Sequence, residues 1–215
     1  MGIPVLVIGR SGTGKSTSLR NFSKEEAAVI NIMGKPLPFK SDIPSCVTQD
    51  YSKVKNILFK SKINTIIIDD AGYLITDMFM SGHSAASKGN GVFSFYNEIG
   101  DAFYHLIRFV VDQLPANKIV YFIMHEDSDD MGNVKPKTIG KLLDEKVCLE
   151  GLVSVLIRST YESEKYCFLT NGAGIQKSPI GMFEDEVIDN DLKFVDTSIR
   201  NYWNIGKEND NEKTE

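Results

Sequence analysis

Short, continuous apolar runs alternate along the chain with longer segments in which apolar residues recur every three or four positions. The runs predict strands that are buried on both faces: Val5–Ile8, Ala28–Ile32, Thr65–Ile68 and Ile119–Met124. The longer segments predict helices: Lys15–Phe22, Tyr51–Phe59 and Tyr96–Gln113. This alternation is typical of an α/β fold, in which a mainly parallel sheet is flanked by helices.

The last third of the chain has a different pattern. Leu152–Ile157 and Tyr166–Leu169 are typical of strands, and the polar segment Ser159–Lys165 joins them, so we expect an antiparallel C-terminal strand pair. We expect residues 1–206 to form a single domain. Residues 207–215 contain no apolar side chain and predict a disordered acidic tail.

Composition narrows the possible functions. Hydrophobic residues make up 42% of the chain and charged residues 25%, which is ordinary for a globular protein. The net charge of −5 argues against a protein that coats duplex DNA through phosphate contacts. Three cysteines and three histidines are too scattered for a disulfide framework or a zinc site. No apolar run reaches the ~18 residues of a membrane span, and no signal peptide is evident, so we expect a cytoplasmic protein without membrane contact.

The segment Gly9–Ser16 (GRSGTGKS) fits the pattern G-x-x-x-x-G-K-[ST] at every specified position, between a predicted strand and a predicted helix. Glycines allow successive backbone N–H groups to surround a phosphate, and the start of a helix favours an anion. Lys15 can reach the β- and γ-phosphates, and the Ser16 hydroxyl can ligate Mg²⁺. A glycine-rich turn that binds nothing is the alternative, and the full match favours the P-loop. The predicted nucleotide-binding residues are Gly9, Arg10, Ser11, Gly12, Thr13, Gly14, Lys15, Ser16 and Thr17.

Two aspartates follow the predicted strand Thr65–Ile68 at the edge where parallel strands open their ligand crevice. We expect Asp69 to hold the magnesium ion, mostly through water. Asp70 has two possible roles. It could polarise the attacking water, or it could cap the helix that follows.

His125 and Glu126 follow the predicted strand Ile119–Met124 and should reach the same edge. A polar side chain at the position of His125 can contact the γ-phosphate, although a lone histidine is often a surface or structural residue. Glu126 is a further candidate for handling water. Together with Lys15 and Asp70, these residues form the predicted catalytic set.

Taken together, these segments resemble the ATP-binding proteins of bacteriophages that are built on a single RecA-like core and are associated with phage recombination and single-strand annealing. The segments that carry the resemblance are GRSGTGKS (Gly9–Ser16), IIIDDAGYL (Ile66–Leu74), YFIMHE (Tyr121–Glu126), KPKTIGKLLDEK (Lys135–Lys146), KSPIGMF (Lys177–Phe183) and IDNDL (Ile188–Leu192). The resemblance spans Val5 to about Tyr202. It implies a RecA-like P-loop core, ATP as the nucleotide, Mg²⁺, and a homo-oligomer when the protein is active.

The resemblance also implies that the segments Met80–Phe95 and Glu126–Lys137 line a channel for single-stranded DNA. A cation beside aromatic faces suits single strands, because stacking is tolerant of sequence. Solvated connectors are the alternative. The candidate DNA contacts are Lys88, Phe93, Phe95, Lys135 and Lys137.

RecA-like ATPases complete each site with a cation from the neighbouring subunit, so the resemblance makes Arg158 and Lys177 candidates for that role. Surface or structural cations are the alternative for both. One departure from the pattern is clear. The catalytic glutamate expected at the end of the strand after the P-loop helix has no counterpart, because that run ends in Asn31-Ile32-Met33-Gly34.

These observations support three hypotheses about function. The first is an oligomeric, Mg²⁺-dependent ATPase that acts on single-stranded DNA during phage recombination or replication, in the host cytoplasm and together with phage replication or recombination proteins. The second is a nucleotide-gated module with slow hydrolysis, which binds a helicase or an annealing protein. The third is a small-molecule P-loop kinase, which the lack of an arginine cluster disfavours.

Overall fold

The computed structural model describes residues 1–84, 91–129, 131–139, 143 and 146–206, without the side chains of residues 92 and 93. Within these residues nine strands form one sheet. The strands are β1 (Ile3–Gly9), β2 (Ala27–Asn31), β3 (Ser45–Val47), β4 (Thr65–Asp69), β5 (Ile119–Ser128), β6 (Val134–Pro136), β7 (Val155–Glu162), β8 (Lys165–Leu169) and β9 (Val187–Asp189). The α-helices are α1 (Tyr51–Lys60), α2 (Gly72–Gly82), α3 (Gly91–Gln113) and α4 (Leu192–Tyr202), and two short 3₁₀ helices span Ser16–Asn21 and Leu149–Leu152.

The strand order places the P-loop strand in the middle of the sheet. It runs β3-β2-β4-β5-β1-β7-β8-β9, and β6 pairs with the end of β5. All neighbours from β3 to β7 are parallel, whereas β8 and β9 are antiparallel. The predicted fold class is therefore confirmed, including the antiparallel strands at the C-terminal side.

The central strands are buried on both faces, so the sheet separates two apolar cores. Leu6 and Ile8 of β1 belong to the core beneath α1, α2 and α3. Val5 and Val7 belong to the opposite core, against α4 and the 3₁₀ helix Ser16–Asn21. This separation follows from the alternation of side chains along a strand. It explains why these strands appear in the sequence as continuous apolar runs.

Helix α3 buries the apolar repeat that predicted it. The fully buried positions are Ile99, Phe103, Leu106, Ile107 and Val110. The helix begins at Gly91 rather than at the predicted Tyr96. Its first two turns precede Ile99, the first residue of the apolar repeat, so the repeat did not indicate them. The predicted channel segment Met80–Phe95 therefore includes the end of α2 and the beginning of α3.

Other boundaries also differ from the sequence prediction. The helix after the P-loop is a six-residue 3₁₀ helix, which ends where Phe22 turns to an extended conformation. The predicted connection Ser159–Lys165 is mostly strand, because Ser163 and Glu164, with φ of 50° and 63°, form a two-residue turn between β7 and β8. The predicted channel segment Glu126–Lys137 contains the last three residues of β5 and the whole of β6, which pair antiparallel.

None of the helices that the structure describes is both long and apolar enough to cross a membrane. The predicted acidic tail, residues 207–215, lies outside the described residues.

Candidate functional site

The loop between β1 and the first 3₁₀ helix depends on two glycines with left-handed backbones. Gly12 has φ of 82° and Gly14 has φ of 88°. A Cβ atom on Gly14 would lie 3.1 Å from Cδ1 of Tyr166 and 3.2 Å from Oδ1 of Asn190, whereas a Cβ on Gly12 would meet open space. Gly14 is therefore required both by its conformation and by close packing.

Lys15 is a buried cation held by its own loop. Its side-chain Nζ donates to the carbonyl oxygens of Gly9 at 2.8 Å and Arg10 at 2.7 Å. An ammonium has three hydrogens to donate, so one remains for a ligand. Burial lowers the pKa of Lys15, while the carboxylates of Asp70 and Asp69 oppose that shift. The loop thus holds a desolvated positive charge that an anion would stabilise.

Ser16 and Asp69 meet directly. The Ser16 hydroxyl donates to Oδ1 of Asp69 at 2.9 Å, and Asp69 is 6% exposed. Burial raises the pKa of Asp69, and the hydrogen bond from Ser16 opposes the shift. A hydroxyl beside a carboxylate is the all-oxygen donor set that Mg²⁺ prefers. These residues fit the ion that the sequence predicts.

The protein's own ligands would not fill a magnesium shell. Among the described residues, no group of three or more His, Cys, Asp or Glu side chains could hold a metal ion. Mg²⁺ commonly keeps several waters and takes phosphate oxygens as ligands. The pair Ser16 and Asp69 is therefore suited to an ion that arrives with a nucleotide.

Asp70 lies between two basic side chains. Its Oδ2 accepts a hydrogen bond from Nζ of Lys35 at 2.7 Å, and its Oδ1 lies 3.8 Å from Nε2 of His125. Burial and then the charge of Lys15 lower the pKa of His125, so the imidazole is neutral at pH 7. The backbone of Asp70 is left-handed, with φ of 60°, which is strained for a residue with a side chain. The N-cap residue of α2 is Ala71, one position after Asp70.

These groups border one cavity of about 890 Å³. Ser11, Gly12, Gly14, Lys15, Ser16 and Thr17 line it from the loop, and Asp69, Asp70 and His125 line it from the ends of β4 and β5. Gly9, Arg10 and Thr13 belong to the loop but do not line the cavity. The fold therefore brings together most of the predicted nucleotide and metal residues, with two of the predicted catalytic side chains besides Lys15.

Glu126 and Arg158 are instead bound to each other. Nε and Nη2 of Arg158 donate to the two carboxylate oxygens of Glu126 at 2.8 and 3.0 Å, and Nε of Arg10 lies 3.5 Å from Oε1. The Glu126 side chain is only 5% exposed. Glu126 does not line the cavity, and Arg158 is engaged within its own chain.

The other predicted cations are dispersed. Lys177 pairs through its backbone with Leu156, and its charge acts on the thiol of Cys148. Lys135 lies on β6 opposite Asp127, while Lys137 lines the same cavity as Lys15 and donates its backbone N–H to the carbonyl of His125 at 2.8 Å.

The predicted DNA contacts at the start of α3 are only partly described. Phe95 is half-buried against the core beneath α3. Lys88 and the side chain of Phe93 lie outside the described residues.

The cavity residues that the sequence analysis missed include Lys35, Tyr73 and Tyr166. Lys35 could have been found, because it lies just after β2, and strand ends point to this crevice. Tyr166 had no such signal, because it reaches Gly14 only through the fold of the β7–β8 hairpin.

The comparison with known families agrees with this geometry. A family model described as an AAA domain matches residues 1–179. The chain belongs to this AAA domain family. The match spans β1 to β8, including the loop Gly9–Ser16 and the carboxylates that follow β4, so the chain contains an AAA-type P-loop ATPase domain. No curated protein shows significant similarity to the chain.

Proposed function

We propose that this AAA domain binds ATP with Mg²⁺ in the cavity beside Gly9–Ser16 and hydrolyses it. The observation that carries the proposal is that the buried ammonium of Lys15 and the Ser16–Asp69 pair border the same cavity. The family match supports nucleotide binding and hydrolysis in general.

The roles of the binding residues follow from their chemistry. The N–H groups of the loop and the third hydrogen of the Lys15 ammonium bind phosphate oxygens. Ser16 and Asp69 would hold the magnesium ion, and the ion would neutralise charge that develops on the phosphates. Hydrolysis breaks the bond between the γ-phosphorus and the oxygen that bridges it to the β-phosphate, as a water oxygen bonds to that phosphorus.

Asp70 is our candidate for accepting the proton of the attacking water. Its carboxylate borders the cavity and contacts Lys35 and His125, and the N-cap residue of α2 is Ala71. These contacts favour the water-polarising role over the capping role. His125, which is neutral at pH 7, is suited to contact the γ-phosphate or the water through a hydrogen bond.

Calorimetry with Mg-ATP and phosphate release test this proposal. We expect Lys15→Ala to weaken nucleotide binding, and Asp69→Ala to abolish Mg²⁺-dependent hydrolysis. Lys24→Ala is the control, because its side chain is exposed and pairs only loosely with Glu25 at 3.8 Å. If both site variants bind and hydrolyse ATP as well as the parent, the proposal is wrong.

We further propose that hydrolysis acts on single-stranded DNA in phage recombination or replication, through an oligomer of this chain. The support is the pair β5–β6, in which Lys135 lies opposite Asp127, two residues after His125, so a change at the phosphate would reach this pair of strands. Turnover should rise with single-stranded DNA and lose that stimulation as salt increases.

A second candidate is a nucleotide-gated module that binds a helicase or an annealing protein. Asn31, with no carboxylate, occupies the end of β2 where RecA-like enzymes have a glutamate, and this favours slow hydrolysis. Turnover that is indifferent to DNA at every salt concentration would support this candidate over the first.

A further inference from the structure

The segment after β2 is closed by the side chain of Asn31. Its Nδ2 donates to the carbonyl oxygen of Lys35 at 2.5 Å, and its Oδ1 accepts from the backbone N–H of Gly34 at 2.8 Å. Gly34 has φ of 67°, which the turn requires. The N–H of Ile32 also donates to the carbonyl of Asp69 at 3.2 Å, so the turn is tied to the strand that carries the metal residue.

The turn places the ammonium of Lys35 in the nucleotide cavity. Nζ lies 2.7 Å from Oδ2 of Asp70 and 5.3 Å from the centre of the Tyr73 ring, and the side chain is 56% exposed. The hydrogen bond with Asp70 raises the pKa of Lys35, so the side chain is charged at neutral pH. Lys35 also interacts electrostatically with Lys15 and His125.

This position adds a third cation to a cavity that Lys15 and Lys137 also line, and it is the one hydrogen-bonded to Asp70. The carboxylates of Asp69 and Asp70 would repel a triphosphate, and phosphoryl transfer needs cations around the γ-phosphate. Arg158, a candidate for that charge, is bound to Glu126. Lys35 is exposed to the cavity and comes from an element other than the P-loop.

We propose that Lys35 is a catalytic residue that contacts the γ-phosphate of the bound nucleotide from within the same chain, and that Asn31 is the positioning residue that holds it there. The inference rests on the proposed function. It assigns to the turn after β2 the discrimination between a nucleoside triphosphate and a diphosphate. Lys35 leaves Asp70 to contact the phosphate, which frees the Asp70 carboxylate to accept a proton from water.

The test compares the binding of Mg-ADP and of the Mg²⁺ complex of a non-hydrolysable β,γ-imido triphosphate by calorimetry. In Lys35→Ala we expect affinity for the triphosphate analogue to fall about tenfold, because a charged hydrogen bond is lost, and affinity for ADP to stay at the parent value. Hydrolysis should fall about 100-fold. Lys35→Arg should retain part of the discrimination. Lys40→Ala, an exposed lysine of the same connecting segment, is the control.

The role of Asn31 is tested by a double-mutant cycle. Asn31→Ala should reduce the preference for the triphosphate analogue in the parent background and have no further effect on that preference in Lys35→Ala. A purely structural role would lower the melting temperature and change both affinities equally in either background, and that result would overturn the positioning role.

The outcomes separate this inference from the proposed function. If the parent binds neither nucleotide, the proposed function and the inference both fail. If the parent binds both and Lys35→Ala keeps the parent's ratio of the two affinities, only the inference fails, and Lys35 is then merely the structural partner of Asp70.

Discussion

The hydroxyl of Ser16 donates a hydrogen bond of 2.9 Å to Asp69, a residue 53 positions further along the chain. The bond joins the end of the P-loop to the end of β4, although β5 separates β1 from β4 in the sheet. The two halves of the proposed magnesium site are therefore already in contact in the chain without a ligand.

Asp69→Asn separates metal binding from folding. The amide oxygen of Asn can still accept from Ser16, while the desolvated negative charge is lost. We expect the nucleotide-free variant to melt no lower than the parent and to lose the increase in melting temperature that Mg-ATP gives the parent. A variant that Mg-ATP stabilises as strongly as the parent would contradict the placement of the ion.

The same substitution has a predictable pH dependence. Burial raises the pKa of Asp69, so the folded chain holds this proton to higher pH than the unfolded chain does. Stability from this group is present at low pH and is lost as pH rises through the folded-state pKa. In chelator, we expect the melting temperature of Asp69→Asn minus that of the parent to increase as pH rises from about 4. A difference that is constant with pH would show that Asp69 has no shifted pKa.

Features that depend on one short segment of the chain could be predicted from the sequence. Gly9–Ser16 and the aspartates after β4 were identifiable because each motif lies at a strand end, and strand ends share an edge. The contact between Glu126 and Arg158 was not identifiable. It requires β5 and β7 to flank β1, and the order of strands in a sheet is set by packing between distant segments. Lys35 depends in the same way on a turn closed by Asn31.

Gly14→Ala should reduce the affinity for Mg-ATP more than Gly12→Ala does. Both positions have positive φ, but only Gly14 lacks room, because Tyr166 and Asn190 lie within 3.4 Å of the new methyl group. The left-handed backbone conformation alone costs about 1 kcal/mol for an alanine at either position. At position 14 the new methyl group must also displace the loop away from its neighbours. Calorimetry with Mg-ATP and thermal unfolding measure the two effects. Equal losses in the two variants would show that conformation, rather than packing, decides.

Arg158→Ala should destabilise the fold by about 2 kcal/mol. It leaves the carboxylate of Glu126 buried without the guanidinium that donates to both of its oxygens. Denaturant unfolding gives the change. The control is Lys193→Ala, which breaks the exposed pair with Glu26 and should cost less than about 1 kcal/mol.

The same variant distinguishes the two roles of Arg158. If Arg158 served only as a cation for a neighbouring subunit, Arg158→Ala would reduce hydrolysis and leave the free energy of unfolding unchanged. Restoration of the parent's stability by the double variant with Glu126→Gln would support the contact within the chain.

Asp196 anchors helix α4, which follows the residues matched by the family model. Its carboxylate accepts hydrogen bonds from the hydroxyls of Tyr121 at 3.0 Å and Thr65 at 3.1 Å, and from Nε of Arg200 at 2.7 Å. Arg200 also donates to Thr65 at 2.9 Å. Burial raises the pKa of Tyr121, so its hydroxyl remains a donor. The network joins α4 to β4 and β5 beneath the sheet.

Asp196→Ala should therefore lower the free energy of unfolding by about 3 kcal/mol, because it leaves the hydroxyl of Tyr121 buried without an acceptor and Arg200 without its carboxylate. Asp196→Asn should cost less, since one acceptor oxygen remains. Thr197→Ala, on the exposed side of the same helix, is the control and should change stability by under about 0.5 kcal/mol. Affinity for Mg-ATP should be unchanged in the folded fraction, because the network does not border the cavity. A loss of affinity without a loss of stability would instead show that α4 controls the nucleotide site.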